Sequence, residues 1–146
     1  MLDETTISDI CASAEFFLGT ILSRRIFRAI DFLDLKDLWN CDSAKPRTLV
    51  VSGGVACNRR IRSMIDYSCK LANCQAVFPP PKHCTDNGVM IAWNGVEKWN
   101  KNSDDIVPWN RVFDVDVYPR VPFGEDWSKN VIDANILNRR VNFKDL

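Results

Sequence analysis

Two short apolar runs, each stopped by residues that cannot extend it, set the limits on what this chain can fold into. Thr48-Leu49-Val50-Val51-Ser52 is β-branched, too short for a helix, and ends on Gly53-Gly54. Ala76-Val77-Phe78 reads as a second short strand and ends on Pro79-Pro80-Pro81. Between them, from about Ala56 to Ala72, the residues Ile61, Met64, Ile65 and Leu71 recur at helical spacing. A strand, a crossover helix and a strand in this order predict a pair of parallel strands.

Helical periodicity flanks that unit on both sides. Ile7, Ile10, Cys11, Ala14, Phe17, Leu18, Ile21, Leu22, Ala29, Ile30 and Leu33 form a long amphipathic stripe that needs a sheet or helix to cover it. Thr6 is placed to cap this helix, with Asp9 as a weak capping-box partner, and the helix should end before the polar stretch Asn40 to Pro46. A further helix is expected from about Asp86 to Trp99. The class is therefore α/β, and a two-stranded sheet rarely stands alone, so the chain should be part of a larger α/β domain or dock on a partner. The predicted organisation is a lobe over residues 1–99 and an irregular tail over 100–146, with a short helix near Ser128 to Asn138.

At 146 residues and 46% hydrophobic content the chain has the make-up of one globular domain. Its 19 basic and 19 acidic side chains cancel, which removes any global electrostatic reason to bind nucleic acid or an anionic membrane and leaves only local patches. Six cysteines are scattered without a Cys-x-x-Cys pair and with a single histidine, so no zinc ribbon or finger can be drawn, and buried thiols are expected in place of disulfides. The acidic start Met-Leu-Asp-Glu has neither signal nor transit character, and the apolar run Phe16 to Leu22 falls short of the roughly 20 residues that span a bilayer, so a soluble protein without membrane contact is expected.

Ligands of open α/β sheets bind beyond the carboxyl ends of the strands. Ser52-Gly53-Gly54 and Cys84-Thr85-Asp86-Asn87-Gly88 both follow strands, so both loops are expected to face one cleft. Gly53 and Gly54 allow close backbone approach, and Asn58 in the first turn of the next helix offers a donor and an acceptor to a sugar hydroxyl or carboxylate. Asp86 admits two readings: an N-cap of the helix that follows, or a carboxylate that holds a divalent metal. Spacing alone does not decide between them.

Val51-Ser52-Gly53-Gly54-Val55-Ala56-Cys57-Asn58-Arg59-Arg60-Ile61-Arg62, with the run Pro79 to Trp93 that contains Cys-Thr-Asp-Asn-Gly-Val-Met-Ile-Ala, resembles the C-terminal part of the tRNA N6-adenosine threonylcarbamoyltransferases, formerly called O-sialoglycoprotein endopeptidases or glycoproteases. The resemblance extends over roughly residues 7 to 138. It implies an incomplete lobe of the actin-like, Hsp70-like ATPase fold, which is ribonuclease H-like. It also implies transfer of threonylcarbamoyl from its adenylate to N6 of adenosine 37 in tRNA. By position, Asn58 and Gly53-Gly54 resemble adenylate-binding residues and Asp86 resembles a metal-ligating aspartate, the metal being Fe, Zn or Mg. The tail from Tyr118 to Lys129 is similar to the bacterial and mitochondrial branch, which implies a mitochondrial location, with the cytoplasm as the alternative for a chain showing no transit peptide.

The family's His-x-x-x-His pair has no counterpart, since His83 lies in the proline loop. The chain alone is thus expected to hold an incomplete metal site and no transferase activity, with tRNA and adenylate as partners of the whole enzyme. The alternative is a non-catalytic module that pairs with a second copy or a full-length subunit through apolar surface. Another sugar-kinase-like member of the same fold is a third reading. Cys57 and Cys84 are expected to be packing thiols, Trp93, Trp99, Trp109 and Trp127 packing residues, and Arg59, Arg60 and Arg62 either a solvated face or contacts to tRNA phosphates.

Overall fold

The structure, a computed structural model, describes residues 2–39, 45–102, 104, 106–116, 118–120 and 124–143. Cys41 and the polar stretch 40–44, together with Val121 to Phe123 of the tail motif, lie outside the described residues. Contacts divide the chain into two units, Met1–Cys84 with Trp127–Leu146, and Thr85–Asp126.

The first unit opens on α1, Glu4–Leu35. Its cap is Asp3, not the expected Thr6: Asp3 sits in extended backbone and its carboxylate accepts the Thr6 amide at 2.6 Å. That bond holds the Asp3 carboxyl below the usual carboxylate range. An 18-residue window of α1 reaches a mean hydropathy of 1.2, so by length and composition this helix is long and apolar enough to cross a membrane, which the short run Phe16 to Leu22 did not suggest. The reason is that no charge interrupts the helix between Glu15 and Arg24.

The stripe on α1 is only half covered. Ile30 is buried, together with Phe27, which the periodic set did not include, whereas Ile7, Ile10, Phe17 and Leu18 are exposed, because α2 (Arg59–Leu71) packs only part of α1's length. Where the two helices meet, Gly19 lies against Met64, which is fully buried; a Cβ at Gly19 would collide with the Met64 thioether. Any side chain at 19 therefore requires the buried Met64 thioether to move.

The strands are β1, Thr48–Val50, and β2, Gln75–Val77, parallel as expected, in the register Thr48↔Gln75, Leu49↔Ala76 and Val50↔Val77. Each strand shows an exposed–intermediate–exposed pattern, so the expectation of a buried β1 is corrected: Leu49 and Ala76 face the core and Val50 remains 65% exposed. Two strands covered on one face leave alternate side chains in solvent. The core joins Phe27 and Ile30 of α1 to Ile61, Ile65 and Cys69 of α2, with Leu49, Val51, Ala76 and Phe78 packed against it. Leu71, counted in the periodic set, is 55% exposed.

A one-turn helix, α3, Pro81–Cys84, follows the prolines where only a loop was expected. Proline at a helix's first position forfeits no hydrogen bond, which lets Pro81 start a turn. The chain returns to the first unit at Trp127 with α5, Ser128–Asp133, and then with Phe143, which is buried and meets Phe16 edge-on at 6.1 Å between centroids.

The second unit consists of α4, Gly88–Asn100, and a 3-10 turn, Trp109–Asp114. No described residue of either element is buried. The expectation that the tryptophans pack is therefore corrected: Trp93, Trp99 and Trp109 are 64%, 70% and 88% exposed, and of the four only Trp127 has a described ring partner, Phe32. The five described cysteines are free thiols; Cys69, Cys74 and Cys84 are buried and Cys11 is exposed.

Candidate functional site

The first motif begins where β1 ends. Val51 still donates to Val77 O at 2.9 Å, continuing the ladder one residue past the strand, and the chain then turns at Gly53 with φ 106 and ψ 166. Only glycine adopts that backbone without strain. A 3-10 turn, Gly54–Cys57, follows at once, closed by Ala56 N donating to Gly53 O at 3.0 Å. A Cβ built on Gly53 or Gly54 meets nothing within 4 Å, so this face of the loop is open. Glycine at 53 is thus demanded by backbone conformation, while Gly54 has ordinary φ and is demanded by neither conformation nor space.

Asn58 is the N-cap of α2 and lies one residue outside the helix, not in its first turn. Its Oδ1 accepts Ile61 N at 3.0 Å, and its Nδ2 donates to Glu15 Oε1 of α1 at 2.6 Å. Both halves of the carboxamide are engaged. The carboxamide nitrogen carries a second N–H, which is the donor left for an incoming ligand while Glu15 stays in place.

Arg62 is the residue that sequence reasoning misassigned. Its guanidinium donates to Ala56 O through Nε, to Pro79 O at 3.0 Å and to the Cys84 thiol at 3.7 Å through Nη2, and it lies over the Phe78 ring at 5.1 Å. One side chain therefore binds the turn after Gly53 to the proline loop and the end of α3. Its Nε and Nη2 are committed to protein acceptors, so it is not simply part of a solvated face. The signal in the sequence was its place one turn into α2, three residues from the buried Ile65; Arg59 and Arg60 beside it are exposed.

Cys57 and Cys84 meet under this arginine. Burial pushes the Cys57 thiol up, the neighbouring Cys84 adds to the rise, and Arg62 opposes it. A thiol held neutral in this way is a poor nucleophile, which agrees with a packing role.

The second motif begins at Cys84, the last residue of this stretch of the first unit, and from Thr85 on belongs to the other unit. Asn87, not Asp86, caps α4: its Oδ1 accepts Met90 N at 3.1 Å and its Nδ2 donates to Thr85 O at 2.9 Å. A carboxamide makes both bonds, whereas a carboxylate has no donor for the Thr85 carbonyl. The capping reading of Asp86 is thereby overturned, and its carboxylate is exposed. The structure joins Gly53, Gly54 and Asn58 on one loop of the first unit and sets Asp86 on the second.

Among the described residues no three His, Cys, Asp or Glu side chains group as a metal site. His83 is exposed on α3, and Asp86 is a single carboxylate. Divalent cations of the oxygen-seeking kind take six or more ligands, several of them protein oxygens, so the donor set here does not fit a complete site.

A model of the tRNA N6-adenosine threonylcarbamoyltransferase family matches residues 2–93. Among curated relatives, the mouse protein named tRNA N6-adenosine threonylcarbamoyltransferase, mitochondrial, is 37% identical over 132 residues, covering 90% of this chain and 30% of the relative. The human protein of that name is 36% identical with the same coverage. The tRNA N6-adenosine threonylcarbamoyltransferase of Anaplasma phagocytophilum is 44% identical over 103 residues, 70% of this chain and 28% of the relative. The chain thus spans about 30% of the length of these relatives. No solved structure matches.

Proposed function

This chain belongs to the tRNA N6-adenosine threonylcarbamoyltransferase family, and from that membership we propose that it is one portion of an enzyme that modifies N6 of adenosine 37 in tRNA. In that reaction the N6 amine forms a bond to the carbamoyl carbon of threonylcarbamoyl-adenylate. The bond from that carbon to the phosphate oxygen breaks, AMP leaves, and the amine gives up a proton. The lobe is that of an actin-like ATPase fold, and the location is the mitochondrion, as the names of the mouse and human relatives suggest.

The part of this chain in that reaction is to bind and orient the adenylate. Gly53 and Gly54 leave the backbone open to the ligand, and Asn58 donates to it the amide N–H that Glu15 does not take. Oriented donors of this kind stabilise charge that develops on the acyl and phosphoryl oxygens. Asp86 contributes one oxygen ligand to a divalent metal, Fe, Zn or Mg, whose remaining ligands come from outside this chain; no step is routed through it.

The observation that carries this reading is the conformation of Gly53, φ 106 with open space before it, directly ahead of a helix capped by Asn58. Calorimetric titration of the 146-residue chain with a non-hydrolysable threonylcarbamoyl-adenylate analogue tests it. Saturable binding that weakens in Asn58→Ala is expected, and absence of binding to the unaltered chain sinks the proposal.

A second reading, a non-catalytic module that pairs with another copy or a longer subunit, is favoured by one observation: Ile7, Ile10, Phe17 and Leu18 of α1 stand exposed. Obligate association on size-exclusion chromatography, with no adenylate binding, would select this reading over the first.

A further inference from the structure

Three arginines of α1, Arg24, Arg25 and Arg28, lie within five consecutive residues, and their spacing of three and four brings Arg28 onto the face shared with the other two. They repel one another, and none of the described ion pairs joins an acid to them. Those described in the first unit join Arg47 to Asp34, Lys70 to Asp66 and Arg139 to Asp31. Asp31, one turn beyond Arg28 on the same helix, is thus already held by Arg139, through its Nε at 3.0 Å and its Nη2. Arg28 is half-buried; its Nη2 reaches Val131 O at 3.4 Å while its Nε is buried with no partner.

These arginines line two adjoining cavities. Arg25 and Arg28 share one of about 430 Å³ with Trp127 and Ser128. With Arg24 and Asn138 they line another of about 250 Å³. Trp127 meets Phe32 edge to face at 5.9 Å, which fixes its ring, and it remains 40% exposed at the cavity. A chain with no net charge therefore concentrates three cations on two adjoining cavities, and two of them, Arg25 and Arg28, share theirs with the Trp127 ring.

We propose that the Arg24, Arg25 and Arg28 cleft with Trp127 is an RNA-docking surface, in which the guanidinium groups take backbone phosphates and the Trp127 ring stacks on an unpaired base. The choice of RNA among polyanions rests on the function proposed above. The chemistry agrees with it: unpaired arginines recognise phosphate, and an aromatic ring among them recognises a base, a combination an acidic peptide does not call for. Arg59 and Arg60 are exposed on α2, where Arg60 lines a separate cavity with Asp9, Phe16 and Phe17, and the pair serves as the charge-matched control.

The experiment is fluorescence anisotropy of a labelled tRNA transcript titrated with the full 146-residue chain over a series of salt concentrations. Arg24 and Arg25 are exposed and take part in no described ion pair, so the double variant R24Q/R25Q is expected to fold. Its salt slope is expected to fall by about 1 for each arginine removed, and its affinity to fall severalfold at about 0.1 M salt. R59Q/R60Q is expected to leave both unchanged. Equal loss in the two double variants, loss in neither, or no binding by the unaltered chain overturns the inference. Displacement of the tRNA by polyglutamate or inorganic phosphate at matched charge concentration also overturns it, in favour of an acidic-peptide or small-anion site. Titration of R24Q/R25Q with the adenylate analogue separates the two proposals: intact adenylate binding with no RNA effect removes the docking surface alone, and loss of adenylate binding by the unaltered chain removes the adenylate reading alone.

Discussion

Asn58 of the glycine-turn motif donates its side-chain amide to Glu15 of α1 across 2.6 Å while its oxygen caps α2. The residue proposed to meet the ligand is therefore also a fastener between two helices, and it holds the Glu15 carboxylate next to the N–H left for the ligand. Glu15→Ala removes a charge that repels an anionic ligand and leaves the cap. The adenylate analogue is expected to bind Glu15→Ala more tightly than the unaltered chain, and Asn58→Ala to lose about 0.5–2 kcal/mol of stability with its cap. Calorimetry and urea denaturation measure the two effects; weaker binding by Glu15→Ala would show that Glu15 orients Asn58 for the ligand.

Gly53 and Gly54 are adjacent but not equivalent. Gly53→Ala places a Cβ on a residue at φ 106 and is expected to cost about 1–3 kcal/mol, although the space in front of it is open. Gly54→Ala meets neither strain nor neighbour and should stay within about 0.5 kcal/mol in the same denaturation experiment.

Arg62 holds two backbone carbonyls, those of Ala56 and Pro79. Arg62→Met leaves both without their donor and is expected to cost about 1–3 kcal/mol for each carbonyl that water cannot reach. Arg62→Lys should recover little of this, because one ammonium cannot reproduce a planar fork aimed at two separate oxygens. Recovery of full stability by lysine in chemical denaturation would refute the tethering role.

Gly19→Val drives its side chain into the buried Met64 and is expected to destabilise by about 1–3 kcal/mol. Met64→Ala vacates the same space. A double-mutant cycle should return a favourable coupling for the pair, since the two sites share one volume; strict additivity would place the strain elsewhere.

Burial pushes the Cys69 thiol up to about 12 from 9.0, with Cys74 and Asp66 adding to the rise. The folded chain keeps a proton that the unfolded chain releases above pH 9.0, so the neutral thiol's contribution is fully present below 9.0 and is lost between there and about 12. Urea denaturation across that range should show a fall in stability that is shallower in Cys69→Ala. Equal slopes would show that Cys69 does not titrate on unfolding.

Much of the architecture was legible because its signals are local. Glycine after Ser52 and proline after Phe78 end strands through backbone constraints that operate whatever surrounds them, and the period of Ile61, Met64 and Ile65 is set by helix geometry. The caps were less legible: Asp3 for Thr6 and Asn87 for Asp86 are shifts of one to three residues. At each terminus several polar side chains compete for the same amides, and the backbone angles of a single residue settle which one wins.

The sequence by itself determined the order of elements, the parallel pairing and the family, since stop residues, periodicity and the motif at Gly53 to Asn58 are properties of neighbouring positions. Only the tertiary structure decided the partners. It assigned Arg62 to backbone carbonyls, placed Glu15 on Asn58, gave Arg24 and Arg25 no described ion pair and set Arg25 in a cavity with Trp127, and left half of the α1 stripe in solvent. Each of these depends on which distant segment arrives within hydrogen-bond or van der Waals reach. A side chain's chemistry is carried in the chain, but its use is set by the groups that folding brings against it.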